Sequence, residues 1–120
     1  MKPFSLNIRG QLIRYDRPVV MGILNVTPDS FFDESRSFDE SDIGRRLETL
    51  LTDGADIIDV GGCSTRPGAS EISPEEETER LSRAMRQIRQ MAPDCIVSID
   101  TYRASVAETA VKELGADIIN

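Results

Sequence analysis

A recurring phrase constrains the fold of this chain more than its composition does. Gly54-Ala55-Asp56-Ile57-Ile58-Asp59 returns as Gly115-Ala116-Asp117-Ile118-Ile119-Asn120. In each copy a glycine stops a helix, and a short apolar run follows and ends on a polar side chain. Repetition of that unit predicts repeated βα modules.

The remaining segments supply the other elements. A hairpin is predicted at the N-terminus, Phe4 to Ile8 and Leu12 to Tyr15 around a Gly10 turn. Strands follow at Val19 to Leu24, Asp56 to Val60, Cys95 to Ile99 and Ala116 to Ile119. They are largely apolar, as parallel strands covered on both faces are. A first helix after Asp39 places Ile43, Leu47, Leu50 and Leu51 on one face. A second has Ser73 as N-cap, Pro74 at its first position and Glu76 to complete a capping box. Its expected buried stripe is Leu81, Ala84, Met85, Ile88 and Met91, with Pro93 as the stop. A third, from Arg103 to Leu114, buries Val106, Ala110 and Leu114.

Alternation of this kind fits an open doubly wound sheet or a TIM (β/α)8 barrel. No G-x-G-x-x-G or P-loop is present, which removes the usual marks of the open nucleotide-binding sheets. The barrel has a positive argument. Asn25, Asp59, Asp100 and Asn120 fall at or near the C-terminal ends of successive strands, where barrel enzymes place their sites. A complete barrel takes about 250 residues, so 120 residues read as its first three to four βα units with an N-terminal β-hairpin. Residues 1–120 are then one incomplete domain, with the hairpin at 4–15 inside it.

Composition narrows the function. The net charge is −7 and the 14 basic residues form no stripe, so nucleic acid is not an expected partner. Glu75 to Glu77 read as a solvated helix face suited to the macrodipole, with Arg83, Arg86 and Arg89 further along. No apolar run reaches the roughly 18 residues of a membrane span, and MKPFSLNIRG lacks the apolar core of a signal peptide. The expectation is a cytoplasmic protein without a membrane partner. Cys63 and Cys95 are too few for a disulfide scaffold or zinc site and read as inert thiols. With no histidine in the chain, imidazole chemistry is excluded.

Several residues stand where chemistry is expected, each with a plainer reading beside it. Asn25 can ligate a hard cation through its amide oxygen or simply start a turn. The segment from Thr27 to Phe38 is long and aromatic for a connection; Phe31 and Phe32 cannot easily both point inward, so at least one is expected to face a cavity or ligand. The loop GGCSTRPGAS offers the Thr65 hydroxyl, the fixed cation of Arg66 for a phosphate or carboxylate, and a turn stiffened by Pro67. Asp100 closes an apolar strand, which is costly unless the carboxylate is paired or bound. It, or Thr101, could instead cap the following helix. Asp56 and Asp117 sit at strand starts and read as structural.

MGILNVTPDSF, GADIIDVGGCSTRPGA and SIDTYRASVAETAVKELGADIIN together resemble, in order and spacing, the N-terminal part of dihydropteroate synthase. The resemblance implies a barrel enzyme of folate biosynthesis. Such an enzyme joins (7,8-dihydropterin-6-yl)methyl diphosphate to 4-aminobenzoate with Mg2+, releasing pyrophosphate. Carried over by motif, Asn25 resembles the magnesium ligand. Thr65 resembles the loop contact to the pterin, and Asp100 and Asn120 the groups that read its ring. Phe31 and Pro67 match positions beside the aminobenzoate pocket, where sulfonamides compete. Asp100 and Arg66 are the candidates for catalytic work. A homodimer is one expectation for the complete enzyme.

The chain departs from the family pattern in places. Cys63 stands where glutamate is common, and FFDESRSFD lacks the expected glycine. The family's diphosphate-binding residues belong to a later half, so 120 residues alone are expected to be inactive and to self-associate through exposed strand edges. Two other readings compete: a pterin-binding methyltransferase-type barrel, which would not need both loop motifs, and a non-catalytic half-barrel that binds a ligand or partner.

Overall fold

A computed structural model of the protein describes residues 2–27, 40–63 and 71–120. The chain opens with an antiparallel hairpin of β1 (Phe4–Ile8) and β2 (Gln11–Tyr15). Arg9 and Gly10 form its turn, both at positive φ. Then come β3 (Met21–Asn25), α1 (Glu40–Thr52), β4 (Ile57–Gly61), α2 (Pro74–Met91), β5 (Ile96–Asp100), α3 (Ala104–Lys112) and β6 (Ile118–Ile119).

The sheet order decides between the two architectures. β3, β4, β5 and β6 lie side by side, parallel and in chain order. A doubly wound sheet reverses direction at a switch point; a barrel does not. This is the opening arc of a (β/α) barrel. Gly54 and Gly115, each at positive φ, let the chain turn back from α1 and α3 into the next strand.

Alternation along each strand creates two faces. Leu24, Ile58, Val60, Val97 and Ile99 point to the helices and pack with Ile43, Leu47, Leu81, Ala84, Met85, Ile88, Val106 and Ala110. Each fully buried Leu or Ile there contributes about 1.5–3 kcal/mol. The opposite face is lined at its lower end by Ile57 and Ile96, which the hairpin covers with Leu6, Ile8 and Ile13. Ile23 on that face is 58% exposed.

Some expectations are corrected. The three long parallel strands end one residue later than the sequence implied. Asn25, Gly61 and Asp100 are themselves paired in the ladder, and Val26 N beyond it donates to the Gly61 carbonyl at 2.8 Å, while Asn120 N donates to that of Ile99 at 2.9 Å. The capping box of α2 is half made. Ser73 Oγ accepts from Glu76 N at 3.1 Å, but Arg80 engages the Glu76 carboxylate at 3.3 Å. Met91 is 41% exposed at the C-terminal end of α2, outside the buried stripe. Glu77 is not part of a solvated face: it is fully buried. Arg89 is likewise engaged, donating to the carbonyls of Cys95 and Gly115.

Candidate active site

The register of three strands assembles a row at the C-terminal end of the sheet. Asn25 pairs with Gly61, and Gly61 with Asp100. Asn120 follows β6 on the other side of Asp100, tied to Ile99 through its backbone. Gly61 matters because it has no side chain. A Cβ there would lie 3.3 Å from Asn25 Oδ1 and 4.0 Å from Asp100 Cβ and Oδ2. The amide and the carboxylate therefore flank bare backbone from both sides.

One step deeper on the same face lie Asp59 and Ser98, paired in register and both buried. Asn120 Nδ2 donates to Asp59 Oδ2 at 3.3 Å. Among the described residues Asp59 Oδ1 and Ser98 Oγ have no hydrogen-bond partner. A buried polar atom left unpaired costs about 1–3 kcal/mol, so a ligand group or water is the natural complement of these two. Sequence reasoning placed Asp59 at a strand end but did not select it as a binding residue. The signal was its position in the recurring phrase, equivalent to that of Asn120.

Electrostatics set this end apart. Burial, then the nearby Asp59 and Glu77, push the Asp100 carboxyl above the ordinary carboxylate range. Asp100 is not a helix cap. Arg103 is the N-cap of α3 and makes no side-chain cap bond; its own N–H donates to Thr101 Oγ1 at 3.2 Å. Burial raises the Cys95 thiol, as expected of an inert cysteine. Of the sequence-selected residues, the structure brings Asn25, Asp100 and Asn120 to one sheet end. Phe31, Thr65, Arg66 and Pro67 lie outside the described residues.

The same residues are matched by a known family. Residues 21–120 fit the family described as pterin binding enzyme. The chain belongs to it. Among curated relatives, dihydropteroate synthase from Staphylococcus haemolyticus is 48% identical over 101 residues, 84% of this chain and 37% of that protein. The Clostridium beijerinckii dihydropteroate synthase is 48% identical over 106 residues, 88% of this chain and 38% of that protein. The chain thus spans less than two-fifths of the length of these relatives. Dihydropteroate synthase from Xanthomonas albilineans, solved with 4-aminobenzoic acid, superposes with a TM-score of 0.80 at 40% identity, covering 97% of this chain and 42% of that one. The Burkholderia cenocepacia enzyme, complexed with 7,8-dihydropteroate, gives 0.76 at 37% identity, covering 97% and 37%. The arc of strands and helices thus has the fold of part of these dihydropteroate synthase structures.

Proposed function

We propose that this chain supplies the pterin-reading wall of a dihydropteroate synthase. The observation that carries the reading is the row Asn25, Gly61, Asp100 and Asn120, with the unpaired Asp59 Oδ1 beneath it. A reduced pterin presents an amino-pyrimidinone edge with adjacent N–H donors and acceptors. Carboxylates at Asp59 and Asp100 accept from the donors, and the Asn120 amide offers one donor and one acceptor.

In the reaction the C–O bond to the diphosphate breaks and a C–N bond to the aminobenzoate amine forms. Pyrophosphate leaves with the bonding electron pair, and the amine gives up a proton. The wall orients the ring so that its methylene faces the second substrate, an entropic contribution rather than a covalent one. Magnesium fits the donor set: Asn25 Oδ1 is a hard oxygen aimed over bare backbone, and Mg2+ is commonly held by few protein oxygens plus substrate phosphates. Among the described residues no cluster of His, Cys, Asp or Glu competes for it. When bound, the ion would supply charge to offset that of the diphosphate leaving group. Arg66 would add a second cation there, Thr65 a pterin contact, and Phe31 and Pro67 a border for 4-aminobenzoate. No helix among the described residues is long and apolar enough to cross a membrane, which suits a cytoplasmic enzyme.

Pyrophosphate release with Mg2+, the pterin diphosphate and 4-aminobenzoate tests this, comparing the chain with the complete reading frame that carries it. Aminobenzoate-dependent turnover by the complete frame alone is the expected result. Turnover indifferent to aminobenzoate in both would sink the synthase reading in favour of a pterin-binding methyltransferase type.

A further inference from the structure

Behind the proposed wall a buried glutamate meets a half-buried arginine, an ion pair that the chemistry above does not use. Glu77, in the first turn of α2, is fully buried. Arg103, just beyond β5, donates from Nη1 to Glu77 Oε1 at 3.0 Å and from Nη2 to the Ile72 carbonyl at 2.5 Å. The Tyr102 ring lies 5.1 Å from the guanidinium carbon. On the β4 side, a Cβ at Gly62 would sit 3.2 Å from the Glu77 carbonyl oxygen, and Arg80 donates to the Gly62 carbonyl at 3.1 Å. The turn bearing Glu77 is thus wedged between the residues leaving β4 and those leaving β5.

Stability alone is a poor reason for such a pair. Desolvating two charges offsets much of their attraction, and an apolar pair of similar volume would hold helix to sheet as well. What an ion pair with a planar guanidinium adds is direction. The arginine–aspartate ties at the strand starts, Arg17 to Asp56 and Arg9 and Arg89 to Asp117, lie at the opposite end of the sheet. This one lies beside the row of Asn25, Gly61 and Asp100.

We propose that Glu77 and Arg103 are positioning residues for the pterin site, locking the Thr101–Arg103 segment against α2 and so fixing the Asp100 carboxylate beside Gly61 and Asn25. The inference rests on the pterin reading above. Neither residue reaches a reacting atom; both act through the backbone that carries Asp100. Misplacement of a binding group by about 1 Å can cost as much as a hundredfold in rate.

The test uses the complete reading frame with Glu77→Gln, Arg103→Met and Arg103→Lys, and Glu75→Gln as an exposed control from the same helical turn. Melting temperature, KM for the pterin diphosphate and KM for 4-aminobenzoate are measured for each. Glu77→Gln and Arg103→Met are expected to raise the pterin KM between about tenfold and a hundredfold, leaving the aminobenzoate KM unchanged. Arg103→Lys, which keeps the cation but loses the planar fork, is expected to recover part of the loss and to remain informative if the methionine variant fails to fold. A pterin KM that matches Glu75→Gln in every folded variant, whatever the melting temperature does, overturns the proposal and leaves the pair a packing element. Wild-type protein that shows no pterin-dependent turnover overturns the synthase reading itself, and this assignment with it.

Discussion

Asp56 and Asp117 hold equivalent places before β4 and β6, two alternate strands of the parallel sheet. Asp56 Oδ2 accepts the backbone N–H of Val20 at 2.9 Å, and Asp117 Oδ2 accepts that of Val97 at 2.9 Å. Each therefore ties the start of its own strand to the start of the strand before. Each is also gripped by an arginine from the N-terminal segment: Arg17 on Asp56 at 2.5 and 2.9 Å, and Arg9 on Asp117 at 2.7 and 3.0 Å. The recurring phrase is thus a recurring fastener at the stability end of the barrel.

The fastener makes stability depend on pH in a set direction. Arg17, followed by the Val20 N–H, lowers the Asp56 pKa from 3.8 to about 2. A carboxylate whose folded pKa is depressed stabilises fully above its unfolded value, and that contribution fades as pH falls through the folded one. The stability gap between wild type and Asp56→Asn should therefore be constant at neutral pH and close as pH falls from 3.8 towards about 2. Denaturant titrations across that range check it; a gap that persists unchanged at the acid end would contradict the assignment.

Asp117 should matter more than Asp56, because its side chain is 2% exposed against 14%. Burial works against its ionisation, yet the bonds from Arg9 and Val97 prevail and its pKa falls. Asp117→Ala orphans the Val97 N–H, while Arg9 and Arg89 can turn to water. The expected loss is about 1–3 kcal/mol by urea unfolding, dominated by the unpaired amide. An effect no larger than that of Asp56→Ala would show that water reaches Val97.

The sequence made these fasteners visible only in part. Repetition and helix stops revealed the modules, and the ends of the apolar runs placed Asn25, Asp100 and Asn120 at or near the C-terminal ends of strands. The partners were hidden, since Arg9 meets Asp117 across 108 positions of chain and nothing local predicts such a contact. Glu77 was misread for a different reason. Three consecutive glutamates suggest a wet helix face, yet position 77 lies on the same stripe as Leu81, Ala84, Met85 and Ile88. Helical periodicity outweighed charge because Arg103 was there to neutralise it. Asp59 was legible as a strand-end residue, but its unpaired oxygen could emerge only once Ser98 and Asn120 were set beside it.

Two glycines should respond oppositely to a methyl group. At Gly22 a Cβ would meet Ala55 Cβ at 3.0 Å and Leu50 Cδ2 at 3.2 Å, within the helix-facing core. Gly22→Ala is expected to cost about 1–3 kcal/mol through overpacking, read from its denaturation midpoint. At Gly61 the neighbour at 3.3 Å is the Asn25 amide oxygen, in the proposed binding wall. Gly61→Ala should leave the midpoint nearly unchanged and raise the KM for the pterin diphosphate in the complete enzyme, since the amide must yield. Equal stability losses at both positions would mean that Asn25 is part of the core rather than of a binding wall.

Asp59→Asn separates binding from folding at a single atom. Asn120 Nδ2 already donates to one Asp59 oxygen, so an asparagine there would direct its own oxygen to Asn120 and its NH2 group to the position of Oδ1. A ligand N–H that met an acceptor would now meet a donor. Hydrogen bonds to charged groups are worth about 1.5–3 kcal/mol, so pterin affinity should fall by roughly tenfold to a hundredfold. Stability should hold or rise, because a buried carboxylate oxygen with no partner costs free energy in the unliganded protein. Pterin titrations and thermal melts on the complete enzyme decide the matter. Unchanged affinity with a lower melting temperature would make Asp59 a structural carboxylate and remove the floor of the proposed pocket.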